Sequence, residues 1–151
     1  MPGLDPSHWL HRLSPDEWLR AAMNELGACR QAFDRHASRP ALASARRAAG
    51  MAWNAVLALA PDGDARFGRT YVDHLRAMAS TETHVVGDPS PIPDEVRRAA
   101  VLLMADPIAQ SREIVQILTP RHDRSVVDAA ETIAAEAYAR LARLAAARSA
   151  Q

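Results

Sequence analysis

At 151 residues the chain has the usual size of one domain, and its 18 basic residues, all Arg with no Lys, balance 18 acidic ones to zero net charge. The lack of Lys excludes Schiff-base chemistry and a P-loop lysine, and zero net charge argues against a surface that grips long nucleic acid. Cys29 is the only cysteine, which excludes an intrachain disulfide and makes a Cys-based metal site a poor expectation. Residues Met1 to His8 show neither the basic start nor the apolar run of a signal peptide, and Arg or Asp breaks every apolar stretch before membrane-spanning length, so a cytoplasmic chain with no membrane segment is expected.

Apolar residues make up 48% of the chain and aromatics only 5%, with Ala supplying most of the apolar share. Ala is the best helix former and a poor strand former, so the composition points to an all-α fold. Asp5-Pro6 offers a cap followed by a proline suited to a first helical position, and one short turn of helix is expected before residue 13. Ser14 and Glu17 have the spacing of a capping box, and Leu19, Ala22, Leu26, Cys29 and Phe33 then recur every three or four residues, predicting a helix that ends near His36. A second helix restarts at Arg39-Pro40 with a stripe of Leu42, Ala45, Ala49, Ala52, Val56 and Leu59, with Trp53 plugging its edge, and stops at Pro61-Asp62-Gly63-Asp64. A third, shorter helix is predicted from Arg69 to Ala79, with Tyr71, Val72, Leu75 and Met78 inward. The stretch 81–93, holding Gly87 and prolines 89, 91 and 93, reads as a long loop. Asp94 to Met104 resumes the helical pattern, a further segment runs from Ile108 to Thr119-Pro120, and a last helix starts near Ser125, capped by a Ser125/Asp128 pair, with Ala130, Ile133, Ala137, Leu141 and Leu144 inward. The expected architecture is an antiparallel bundle of four to five helices, with 1–13 an N-terminal extension or short helix and 14–148 a single domain.

Arg69 and His74 form the most specific local feature. Five positions apart, they are offset by about 140° on a helix, so the long Arg has to curl round to share a site with the imidazole. In phosphodiester cleavage such an Arg holds the phosphate while the His moves protons; alternatively Arg69 pairs with Asp73 and His74 lies on a polar or half-buried face. Arg46-Arg47, Arg97-Arg98 and Arg121-Arg124 are basic pairs; Arg46 and Arg47 are anion-binding candidates beside Arg69, whereas an Asp94–Arg98 pairing explains Arg97-Arg98 without a ligand. His8, His11, His84 and His122 lack the further ligands of a metal site, so no metal and no cofactor are expected, and Cys29 reads as a small buried hydrophobe.

Taken in order, several stretches resemble the HEPN (higher eukaryotes and prokaryotes nucleotide-binding) domains. They are Trp18-Leu19-Arg20-Ala21-Ala22, the Ala-rich run Ala45 to Leu57, Asp73-His74-Leu75, Pro93 to Arg97, and Ala130 to Tyr138, together covering roughly residues 16–145. The resemblance is one of pattern. It implies a helical bundle, commonly a homodimer and often partnered with a nucleotidyltransferase in bacterial toxin–antitoxin pairs. A subset of that family are metal-independent ribonucleases with an Arg followed four to six residues later by His, a spacing that Arg69 and His74 match.

Three functional readings are therefore carried forward. The leading one is a non-enzymatic helical module, dimeric through its Ala-rich faces, that binds a protein partner such as a nucleotidyltransferase or a nucleotide-like anion, with Arg46, Arg47 and Arg69 as anion contacts. The second is an endoribonuclease built on Arg69 and His74, with RNA as ligand. The third is a small-ligand binder with its pocket under the 81–93 loop.

Overall fold

Ser14 accepts the backbone N–H of Glu17 while the Glu17 carboxylate accepts the Ser14 N–H, both at 3.2 Å, and this capping box opens the first long helix, α1 (Pro15–Asp34). The structure, a computed structural model, describes residues 8–60, 66–80, 85, 90–105 and 124–150. Its elements are a single 3-10 turn (Trp9–Arg12), α1, α2 (Ser38–Leu57), α3 (Tyr71–Ala79), α4 (Asp94–Met104) and α5 (Ser125–Ser149). Among the described residues there is no strand, and the helices pack as an all-α bundle.

The corner between α1 and α2 is a hydrogen-bonded one. The N–H of Ala37 reaches the carbonyl of Ala32 and that of His36 the carbonyl of Phe33, while His36 takes φ 57°, the left-handed conformation of a Schellman stop. Two helices joined through three residues return antiparallel, and α1 and α2 form the most extensive helix pair in the fold. The buried surface of α2 is rich in Ala, which allows the close approach expected of small residues.

α2 is the central helix. Thirteen of its twenty residues are buried, more than one stripe can supply, because α1, α3, α4 and α5 all pack on it. Trp53, expected at an edge, is fully buried at the centre. The Ala face expected to mediate dimerisation is consequently covered within the chain, with Ala45, Ala48, Ala49 and Ala52 all at 0% exposure. At its C-terminal end the helix tightens through the bonds Leu59 N–H to Val56 O and Ala60 N–H to Leu57 O.

Several local expectations are corrected. α3 begins at Tyr71, not Arg69, because Thr70 and Asp73 form a second capping box. Val72 points outward, and the buried face of α3 is His74, Leu75 and Met78. Asp94 pairs with Arg97 at 2.6 Å in place of Arg98, and Arg97 also donates to the Ile92 carbonyl. α5 has no side-chain cap; Asp128 pairs instead with Arg124, the residue before the helix. The 61–64 turn, the 106–123 segment and most of the 81–93 loop lie outside the described residues. No helix among the described residues is long and apolar enough to cross a membrane.

Candidate functional site around His74

The segment leading into α3 is shaped by Gly68. Its φ of +70° is left-handed, and a Cβ there would meet the Asp73 Cβ at 2.5 Å, so both the conformation and the space demand glycine. This turn lets buried Phe67 pack against Trp53, ring centroids 5.7 Å apart, and then hands the chain to the Thr70 cap. The Asp73 carboxylate is held by Thr70 and by Arg76 at 3.3 Å, which draws its pKa below the usual carboxylate value, chiefly through the Thr70 hydrogen bonds. The Arg69–Asp73 side-chain pair is not formed.

His74, one turn into α3, has no solvent exposure. Its Nδ1 lies 2.7 Å from the Phe67 carbonyl oxygen, and its Nε2 lies 2.7 Å from the side-chain oxygen Oδ1 of Asn54 on α2. Burial pushes the imidazole below its ordinary pKa; the Phe67 hydrogen bond and the Asp73 charge oppose that shift but are smaller. A neutral ring carries one proton. The Phe67 carbonyl can only accept, so the proton sits on Nδ1; Nε2 then has no hydrogen for Oδ1, and a half-turn of the Asn54 amide, which exchanges its oxygen and nitrogen, lets Nε2 accept from the NH2. Both nitrogens are then satisfied inside the fold.

Two aromatic rings close this node. Tyr71 meets the imidazole edge-on at 6.4 Å between centroids, and its ring rests on Gly50 of α2, where an added Cβ would fall 2.0 Å from Tyr71 Cδ1. Burial, with the Glu25 carboxylate adding to it, raises the Tyr71 phenol above its ordinary pKa. Trp9, from the 3-10 turn, lies nearly parallel to the imidazole at 6.4 Å and 18°. The exposed Arg69 places its guanidinium carbon 5.6 Å from the centroid of the same indole. Arg69 and His74 therefore share Trp9 as a common neighbour.

The remaining candidates disperse. Arg46 donates from Nε to the Leu103 carbonyl in the last turn of α4, at 2.7 Å. Arg47 turns to α1, with Nε 3.1 Å from Glu25, and also donates to Ser44. No contact joins Arg46 or Arg47 to Arg69. The His8 and His11 rings meet edge-on at 6.5 Å, and among the described residues no group of three or more His, Cys, Asp or Glu side chains could hold a metal. Cys29 is buried, which raises its thiol pKa. Arg121, His84 and His122 lie outside the described residues.

Three polar contributors escape a reading of the sequence. Asn54 is the partner of His74, and Trp9 is its cover. Arg140 is the third: fully buried on α5, it pairs through Nε with Glu136 at 2.8 Å, donates through Nη2 to the Pro91 carbonyl at 2.8 Å, and sits 5.8 Å over the Trp53 ring. It ties the approach to α4 onto α5, and a buried guanidinium is tolerated because these partners surround it. No family model, curated protein or solved structure matches the chain, and the likeness to HEPN domains rests on the sequence pattern.

Proposed function

We propose that this chain is a non-enzymatic helical module that acts by binding, as a cytoplasmic homodimer, a protein partner or a nucleotide-like anion. The observation that carries this reading is the enclosure of His74. General acid–base catalysis needs a ring nitrogen within hydrogen-bond reach of the substrate, and here both nitrogens are engaged by Phe67 and Asn54 while Trp9 covers the ring. Of the three candidate anion contacts, Arg46 and Arg47 spend donors on protein acceptors, whereas Arg69 is exposed with a ring on one side of its guanidinium, which leaves Arg69 as the anion contact of this reading. The nucleotidyltransferase partner follows from the HEPN resemblance alone. A second copy has to dock away from the covered Ala face of α2; among the described residues Met23, Val72, Val101 and Tyr138 are the large apolar side chains left exposed for it.

One observation favours the second reading, a metal-independent ribonuclease: Arg69 and His74 both lie against Trp9, so removing that indole would bring them to one opening. Incubating purified protein with RNA in EDTA separates the two. The binding module leaves the RNA intact; cleavage that disappears in His74→Ala overturns it. Sedimentation at micromolar concentration should give a dimer, and monomer alone would remove the dimeric part of the proposal.

A further inference from the structure

Opposite its buried side, α1 carries Arg20, Asn24, Gly27, Gln31 and Asp34 in one row, alternately four and three residues apart, which is the spacing of a seam between two helices. Arg20, Asn24, Gln31 and Asp34 are exposed, as is Met23 beside them at 51%, while Trp18, Ala22, Leu26, Cys29 and Ala32 face the core. Gly27 stands at the middle of the row, and a Cβ added there meets only open space. Glycine inside a helix is markedly less favourable than alanine. Gly50 and Gly68 each make room for a neighbouring side chain, Tyr71 and Asp73, but nothing in its own chain requires Gly27.

We propose that this face of α1 is the contact between two copies of the chain: α1 lies antiparallel on the partner's α1, crossing it at Gly27, with Arg20 of each copy paired to Asp34 of the other.

The charges are self-complementary about that point. A two-fold axis at an antiparallel crossing sets each residue before the crossing opposite the one equally far after it. Arg20 stands seven positions before Gly27 and Asp34 seven after, each about 10.5 Å along the helix, so two cations meet two anions. Met23 and Gln31, four before and four after, are opposed in the same way, and the flexible thioether can lie across the space that the two glycines leave. A parallel pair would set Arg20 against Arg20 and Asp34 against Asp34, so the same charges select the antiparallel arrangement. A shallow crossing of about 20° keeps the two helices together as far as these residues, whereas one of about 50° separates them first.

Both charges are available. Among the described residues neither Arg20 nor Asp34 enters an ion pair; Arg20 acts on the Glu17 carboxylate only across space, and that carboxylate is tied to the Ser14 backbone. Arg30, at the edge of the row, is already paired with Glu131 of α5. A helix of 20 residues is about 30 Å long, which makes a small interface, and exposed ion pairs add little each, so the two copies exchange at micromolar concentration. So weak a pair adds less to folding stability in a dilute melt than the helix-propensity gain of an alanine, and Gly27→Ala in such a melt reports on the single chain. The inference rests on the dimeric reading above and adds the face and the orientation.

The test is sedimentation equilibrium of the full chain at low salt, where exposed charges are least screened. Arg20→Asp and Asp34→Arg each place like charges opposite one another twice, and each should raise the dimer Kd at least about tenfold. The combined variant Arg20→Asp/Asp34→Arg restores both pairs with their signs exchanged, and its Kd should return to within about threefold of the parent. Arg98→Asp makes the same change of net charge at an exposed position on α4 and should leave the Kd within about threefold. Single variants that dimerise like the parent, a combined variant as weak as the single ones, or an equal loss in Arg98→Asp would each overturn the α1 contact while leaving a dimer formed through another face. A parent that stays monomeric would remove the dimeric reading and this contact together.

Discussion

Two helical glycines should respond to alanine with opposite signs. Gly27 lies within α1 and an added Cβ there finds nothing within 4 Å, so Gly27→Ala collects the helix-propensity gain of about 0.8–1 kcal/mol unopposed. Gly50 lies within α2, where the same methyl would stand 2.0, 2.4 and 2.7 Å from Cδ1, Cγ and Cβ of Tyr71. Turning the tyrosine side chain about Cα–Cβ can relieve the first two contacts, but the third involves Cβ, an atom fixed to the α3 backbone, so α3 itself has to shift. Overpacking of this kind costs about 1–3 kcal/mol, and at the upper end it exceeds the propensity gain by about 2 kcal/mol. For a domain of this size about 1 kcal/mol moves Tm by roughly 2–4 °C. Thermal melts followed by circular dichroism should therefore place Gly27→Ala a few degrees above the parent and Gly50→Ala about 4–8 °C below it. If Gly50→Ala also melts above the parent, the Tyr71–Gly50 packing that positions α3 and His74 is wrong.

Three further outcomes follow from other parts of the fold. His36 occupies the left-handed stop of α1, where a side chain costs about 1–2 kcal/mol, and His36→Gly should raise Tm by a few degrees; an unchanged or lower Tm would count against that corner. Arg140→Met removes the buried partner of Glu136 and should cost about 3 kcal/mol in urea unfolding, near the low end for a broken buried pair because Arg143 lies 3.7 Å from the same carboxylate. Adding Glu136→Leu should recover most of that loss, and a double variant no better than the single one would contradict the pairing. The buried Cys29 thiol, with its raised pKa, should react with a thiol reagent far more slowly in native protein than in denaturant, and equal rates would place it at the surface.

Periodicity and caps made much of the fold legible in the sequence. The Ser14/Glu17 box fixes the start of α1, the 94–104 pattern matches α4, and the stripe from Ala130 to Leu144 is the buried face of α5. The misreadings share one cause, which is judging burial by residue type when position decides it. Tyr71, His74, Leu75 and Met78 have the i, i+3, i+4, i+7 spacing of a core face, yet His74 reads as polar and Val72 as apolar, so the two exchange places in the expectation. Arg140 repeats the lesson, standing with Ala137, Leu141 and Leu144 on one face while its charge suggests solvent. What permits a polar residue at such a position is its partner, and the partners are distant in sequence: Asn54 for His74, Pro91 for Arg140. Trp9 was beyond reach for the same reason, since nothing in its neighbourhood signals that a short N-terminal turn lies across α3.

The claim on which the rest depends is that His74 is a neutral, enclosed hydrogen-bonding residue. Long-range nitrogen–proton NMR of its imidazole tests this at once, because it reports which nitrogen carries the proton. Near pH 7.5 the imidazole should be a single tautomer with the proton on Nδ1, bound to the Phe67 carbonyl and slow to exchange, and its titration midpoint should lie below that of an exposed histidine. A ring protonated on Nε2, exchanging rapidly and titrating like a histidine in water, would contradict it and restore His74 as a group able to work on a substrate.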